Sequence, residues 1–155
     1  PGLQRRREAE LEPTVSDDGP ATPHQLVNPP GMAPARGFSH AVVATGGRTV
    51  YLAGQVAMDV DGVVVGDGLA AQFDVALGNV VAALTAAGGR PEHLVSLVMY
   101  ATDVAGYRSS LREVGAAYRK HVGRHYPAMA LVGVSELVEP AALIEIVGTA
   151  VIPDE

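Results

Sequence analysis

From Leu69 to Ala87 the apolar residues Phe73, Ala76, Leu77, Val80, Leu84 and Ala87 recur at the spacing of one helix face, and Gly88-Gly89 follow as helix-ending glycines do. The spacing predicts a helix over 69–87. A second amphipathic stretch, from Tyr107 to about Val122, sets Leu111, Val114, Ala117, Tyr118 and Val122 against Arg108, Arg112 and Arg119, and Pro127 stops it. The other apolar runs lack this period and are rich in Val and Ile: residues 41–44, 49–53, 94–100, 128–134 and 142–152 read as strands. Gly46-Gly47 between the first two predicts a hairpin. Asp61-Gly62 before Val63, Val64 and Val65 predicts a turn and a short edge strand. The resulting order is β-β-(β)-α-β-α-β-β.

Six of the eleven prolines fall in the first thirty residues, among clustered charges and few branched apolar side chains. Residues 1–27 read as a flexible tail, and 28–155 as one domain. Pro1 has an amine that could act as a base, but only if pinned inside a pocket, and Gly2 followed by charges argues against that. With 48% hydrophobic and 18% charged residues, the rest of the chain buries enough apolar surface to exclude bulk disorder. The absence of cysteine removes disulfides and thiol chemistry. No apolar run reaches the roughly 20 residues of a membrane span, and the charged start around Arg5-Arg6-Arg7 is unlike a secretory leader. A soluble, cytoplasmic protein with no membrane partner is expected. Eleven basic against seventeen acidic residues give a net charge of −6, which disfavours nucleic acid as a partner.

Two helices lying on one face of a sheet leave the other face, rich in Val, Ile, Leu and Ala, without cover. Such a face is expected to be buried against further copies of the chain, with any ligand pocket between subunits.

Several short segments carry a family resemblance: Asn28-Pro29, Phe38-Ser39-His40-Ala41-Val42, Tyr51-Leu52-Ala53-Gly54-Gln55, and Gln72 with Asn79. Ala86-Ala87-Gly88, Met99-Tyr100-Ala101-Thr102-Asp103, Tyr118, Tyr126-Pro127-Ala128, and Leu137 with Ile144-Glu145-Ile146 continue the pattern. Over residues 28–152 the chain resembles the Rid family (RidA-like, also called YjgF), the reactive intermediate imine deaminases. The resemblance implies an α+β, chorismate-mutase-like fold: a mixed six-stranded sheet with two helices on one face, assembled as a homotrimer with clefts at subunit junctions. It also implies the chemistry, in which water adds to the imine tautomer of an enamine and ammonia leaves.

The resemblance carries a departure as well. The arginine that grips the substrate carboxylate directly after Pro-Ala is replaced by Met129. A guanidinium is a bidentate, permanently charged fork, which a thioether cannot imitate. Phe38 stands for a pocket tyrosine, Ala53 for a serine and Val147 for a second glutamate. With Gly54, Tyr118 and Arg36 these are the expected ligand-contacting positions. Arg36, two residues before Phe38, is weighed as a replacement cation against the alternative of a solvated loop arginine. Glu145 is the expected acid or base, since strand alternation places it on the side of Val147. The expected ligand is therefore a small, mainly uncharged or apolar molecule. The expected activity is hydrolysis or tautomerisation of an enamine or imine, with weak action on 2-imino acids; the alternative is a catalytically silent ligand-binding or regulatory protein. No cofactor and no metal is expected, because His121 and His125, four apart, have no third ligand. Ser39-His40 is not a catalytic dyad, since neighbours on a strand point to opposite faces. RNA cleavage, described for some relatives, ranks third: Arg108, Arg112, Arg119, Lys120 and Arg124 form a basic stripe, but aromatic residues are only 5%.

Overall fold

A computed structural model describes residues 22–155. Six strands and three helices follow in the order β1 (Gln25–Val27), β2 (Ala41–Val43), β3 (Gly47–Gln55), α1 (Leu69–Ala86), β4 (Leu94–Ala101), α2 (Val104–Ser109), α3 (Leu111–His121), β5 (Ala128–Gly133) and β6 (Ile144–Pro153). The α+β class and the mixed sheet are as expected. The six strands do not form one sheet: β3-β6-β4-β5 make a four-stranded sheet, and β1 and β2 a separate antiparallel ribbon. β6 runs antiparallel to both β3 and β4, while β4 and β5 are parallel.

The segments β3-α1-β4 and β4-α2-α3-β5 each join parallel strands through helix. Right-handed crossovers of this kind place their helices on one side of the sheet. α1 accordingly packs on β3 and β6 and against α3. Its apolar stripe of Leu69, Phe73, Ala76, Leu77, Val80 and Leu84 meets Leu94, Leu97, Met99, Ile144, Ile146 and Ala150 in the core. α1 has the length and apolarity of a membrane span, yet this stripe is fully buried inside the fold. Gly88 ends it with φ 89°, a left-handed conformation that glycine adopts without steric cost.

Four expectations on elements and their boundaries are corrected. The hairpin between residues 41–44 and 49–53 does not form, because β2 pairs with β1 instead. Thr45 is held from the other side: its N–H donates to His24 Nδ1 (3.0 Å) and its hydroxyl to the Pro23 carbonyl (2.6 Å). Gly47 then opens β3 so close to β6 that a Cβ there would collide with the Ile152 carbonyl oxygen. The boundary at residue 27 also shifts, since residues 22–27 belong to the fold; the rest of the proposed tail, 1–21 including Pro1, lies outside the described residues. The second helix divides at Ser110, where the hydroxyls of Ser109 and Ser110 both bond the Gly106 carbonyl and compete with helix hydrogen bonds. Residues 63–65 make only one bridge, Met58 with Val64, and not a strand.

Candidate functional site

Leu97 and Met99 of β4 enter the core, so the alternate residues Ser96, Val98 and Tyr100 face away from the helices. Cross-strand partners share a face, which places Ala128 and Thr149 beside Ser96, Ala130 and Val147 beside Val98, and Val132 and Glu145 beside Tyr100. This open face is apolar apart from the hydroxyls of Ser96, Thr149 and Thr49, the phenols of Tyr100 and Tyr51, and one carboxylate, Glu145.

On it, at the β4–β5 side, lies a cavity of about 280 Å³. Its floor includes Ser96, Val98, Ala128 and Ala130, and its wall is the segment Phe38 to His40. Ser39 anchors that wall: its N–H donates to the Pro127 carbonyl (3.0 Å), its hydroxyl to the Tyr126 carbonyl (2.7 Å), and it bridges Ala128 at the edge of β5. His40 is fixed as well. Its N–H donates to Asn28 Oδ1 (2.9 Å), its Nε2 lies 2.7 Å from the Ala33 carbonyl oxygen, and its ring stands edge-on to Phe38 at 5.2 Å and 81°. Among the described residues, no aspartate, glutamate, lysine or arginine lines the cavity.

The expected site residues divide accordingly. Phe38 and Met129 both reach the cavity. Met129, however, pairs with Leu97 and packs against the core, so its side chain lies on the helix-facing side and only the cavity's edge touches it. Val147 sits one strand away beside Val98. Glu145 shares the open face without lining the cavity; its carboxylate lies over Gly54, where a Cβ would collide with it. Ala53 and Gly54 are exposed on β3, at an irregularity between Leu52 and Gln55. Arg36 is an exposed loop residue outside the cavity wall. Tyr118 is a clear correction: it is buried in the core, stacks on Tyr126 at 5.2 Å and donates its hydroxyl to the His125 carbonyl. Burial pushes its ionisation far above the ordinary tyrosine range.

His40 and Ser96 are the cavity residues that sequence reasoning passed over. In the sequence His40 draws notice only as half of a Ser-His pair, and Ser96 is one polar residue inside an apolar strand run. Gln72 and Asn79, part of the resemblance, are structural. Gln72 receives the Leu143 N–H (2.8 Å) and donates to the Ala141 carbonyl (3.1 Å), while Asn79 donates to the carbonyls of Val56 and Met58. The histidine pair weighed for metal binding does not share a helix face, because α3 ends at His121. His121 Nε2 contacts Asp74 at 2.6 Å, and His125 Nε2 donates to the Leu94 carbonyl at 2.7 Å. Lys120, from the basic stripe, bonds Asp74 as well.

Fold and cavity together define an α+β domain with a cavity of about 280 Å³, uncharged among the described residues, on the uncovered face of a mixed sheet. The family model described as endoribonuclease L-PSP matches residues 30–152. This chain belongs to that family, the Rid or YjgF family. Among solved structures, a Rid-family protein of unknown function, YyfB from Yersinia pestis, is 35% identical over 83% of this chain and 98% of its own, with a TM-score of 0.75. Rv2704 from Mycobacterium tuberculosis, described as a YjgF-family member, is 31% identical over 83% and 99% of the two chains, with a TM-score of 0.55. RidA from an Antarctic Psychrobacter is 28% identical over 77% and 92%, with a TM-score of 0.58. No curated protein sequence matches the chain.

Proposed function

We propose that the chain works as a homotrimer that holds a small, uncharged, largely apolar molecule in clefts where the open face of one subunit meets its neighbour. The observation that carries this reading is that, among the described residues, no carboxylate, ammonium or guanidinium lines the cavity. A ligand carboxylate buried there would lose its hydration with nothing to replace it. The apolar open face supports burial against further copies, since surfaces of this kind are seldom left in water. A neutral imine or enamine fits the lining, and Glu145, on the same face, is the group to activate water for its hydrolysis to a carbonyl compound and ammonia.

A second reading, ligand binding without turnover, is favoured by the position of Glu145 one strand away over Gly54. Cleavage of RNA, the activity in the family's description, has less support, given a net charge of −6 and a cleft without cations.

Sedimentation analysis joined to an ammonia-release assay tests these readings. The assay compares the imine of an uncharged ketone with a 2-imino acid, each against its spontaneous rate. A trimer that accelerates loss of the uncharged imine, and loses that activity in Glu145→Gln while remaining trimeric, supports the enzyme. A trimer that binds the parent ketone without turnover supports the silent protein. A preference for the 2-imino acid, or a monomer that binds neither, overturns the proposal.

A further inference from the structure

We infer that His40 is the hydrogen-bond acceptor of this cleft, so that among small apolar molecules it selects those carrying a neutral N–H or O–H donor. The inference rests on the uncharged-ligand reading above and adds the polar group that orients the ligand. The Ala33 carbonyl oxygen can only accept, so the 2.7 Å contact requires the proton of the neutral imidazole to sit on Nε2. Nδ1 is then an unprotonated acceptor. Among the described residues Nδ1 has no hydrogen-bond partner, and His40 is one of the residues that line the cavity.

The ring is held from three sides. The Ala33 contact fixes its tautomer, Asn28 fixes its backbone through the His40 N–H, and Phe38 meets it edge-on. Such support sets an acceptor in place before the ligand arrives, which lowers the ordering cost of binding. The other polar groups of the cavity do not select in the same way. The Ser39 hydroxyl, its proton donated to the Tyr126 carbonyl, is left as an acceptor but is buried, and the Ser96 hydroxyl can both donate and accept. An acceptor beside an aromatic wall matches a compact molecule with one apolar face and one N–H or O–H, and the N–H of a neutral imine or enamine is such a donor.

The test measures binding of benzyl alcohol, benzyl methyl ether and benzoate by titration of the assembled protein. The expected result is benzyl alcohol bound about three- to tenfold tighter than the ether, the range of one neutral hydrogen bond. In His40→Phe that preference should vanish while ether affinity holds. Equal binding of alcohol and ether by the wild type, or a preference that survives in His40→Phe, overturns the inference. Benzoate binding as tightly as the alcohol instead overturns the uncharged-ligand reading, and failure of all three probes to bind overturns both. Should His40→Phe fail to fold, ¹⁵N spectra of the wild type decide: the Nε2-protonated tautomer is expected, with Nδ1 shifting for the alcohol and not for the ether. An Nδ1 resonance unmoved by the alcohol overturns the inference.

Discussion

Acidification should loosen this fold at one identifiable place, the start of β4. Three buried histidines converge there. His125 Nε2 donates to the Leu94 carbonyl at 2.7 Å, and His24 Nε2 reaches the carbonyls of Val151 (2.9 Å) and His93 (3.2 Å). The Nδ1 atoms of His24 and His93 accept backbone N–H groups from Thr45 and Arg90, each at 3.0 Å. Protonating the His93 Nδ1 would set one donor against another. Burial pushes the His93 and His125 rings below the ordinary histidine value of 6.5. Glu92 partly opposes this at His93, and the bond to the Leu94 carbonyl does so at His125. A histidine whose folded value is lowered binds fewer protons folded than unfolded. Its contribution is therefore complete above pH 6.5 and lost as pH falls from there towards the folded value. Each such histidine limits the slope to about 1.4 kcal/mol per pH unit, and the two together to about 2.7 kcal/mol. Asp74 acts in a separate window. Desolvation raises its value, but His121 and Lys120 outweigh this and hold it below 3.8, so its contribution is lost only beneath that pH. Urea unfolding at fixed protein concentration, from about pH 7.5 down to about 4.5, measures the slope. Stability should be level above 6.5 and fall below it, and His125→Gln should remove up to half of the slope. A profile that stays flat to the acid end, or first bends near the carboxylate range, would refute this account.

Tyr118→Phe removes the donor to a buried carbonyl, that of His125, and should cost about 1–3 kcal/mol in urea unfolding with ligand affinity unchanged. Gly54→Ala forces a methyl group into the Glu145 carboxylate; Glu145→Ala should relieve the clash, so a double-mutant cycle should show coupling of about 1 kcal/mol or more. Met129→Arg restores a guanidinium at the expected position, but on the helix-facing side beside Leu97. It should lower stability by about 1–3 kcal/mol and leave 2-imino acid turnover weak, which calorimetry and the ammonia assay can check together.

Periodicity alone places α1 to within a residue of each end, because one apolar stripe running the length of eighteen residues faces one core and leaves few alternatives. β4 read equally well, since a strand buried between two neighbours is a continuous apolar run. Pairing was less legible. Residues 41–44 and 49–53 have the composition and turn of a hairpin, but His24 and Pro23, twenty residues upstream, claim Thr45 and divert β2 to β1. Contacts set by one distant histidine leave no local pattern. Ser110 splits the second helix for a similar reason: its hydroxyl reaches one carbonyl in the preceding turn, while the apolar spacing runs on through it.

The same distinction explains which site residues were readable. Segments shared with relatives combine groups that hold the backbone with groups that meet a ligand, and sequence spacing does not separate them. Gln72, Asn79 and Tyr118 belong to the first kind, each spending its polar atoms on carbonyls or N–H groups of distant segments. Phe38 and Met129 reach the cavity because Ser39, between the conspicuous neighbours Phe38 and His40, ties its strand edge to Tyr126 and Pro127. With the residue 129 side chain turned towards the core, recognition in the cavity is left to the anchored wall. The selectivity of such a cleft then depends on the orientation of a single imidazole, and that orientation is set by the Ala33 carbonyl and Asn28, which line no part of the cavity.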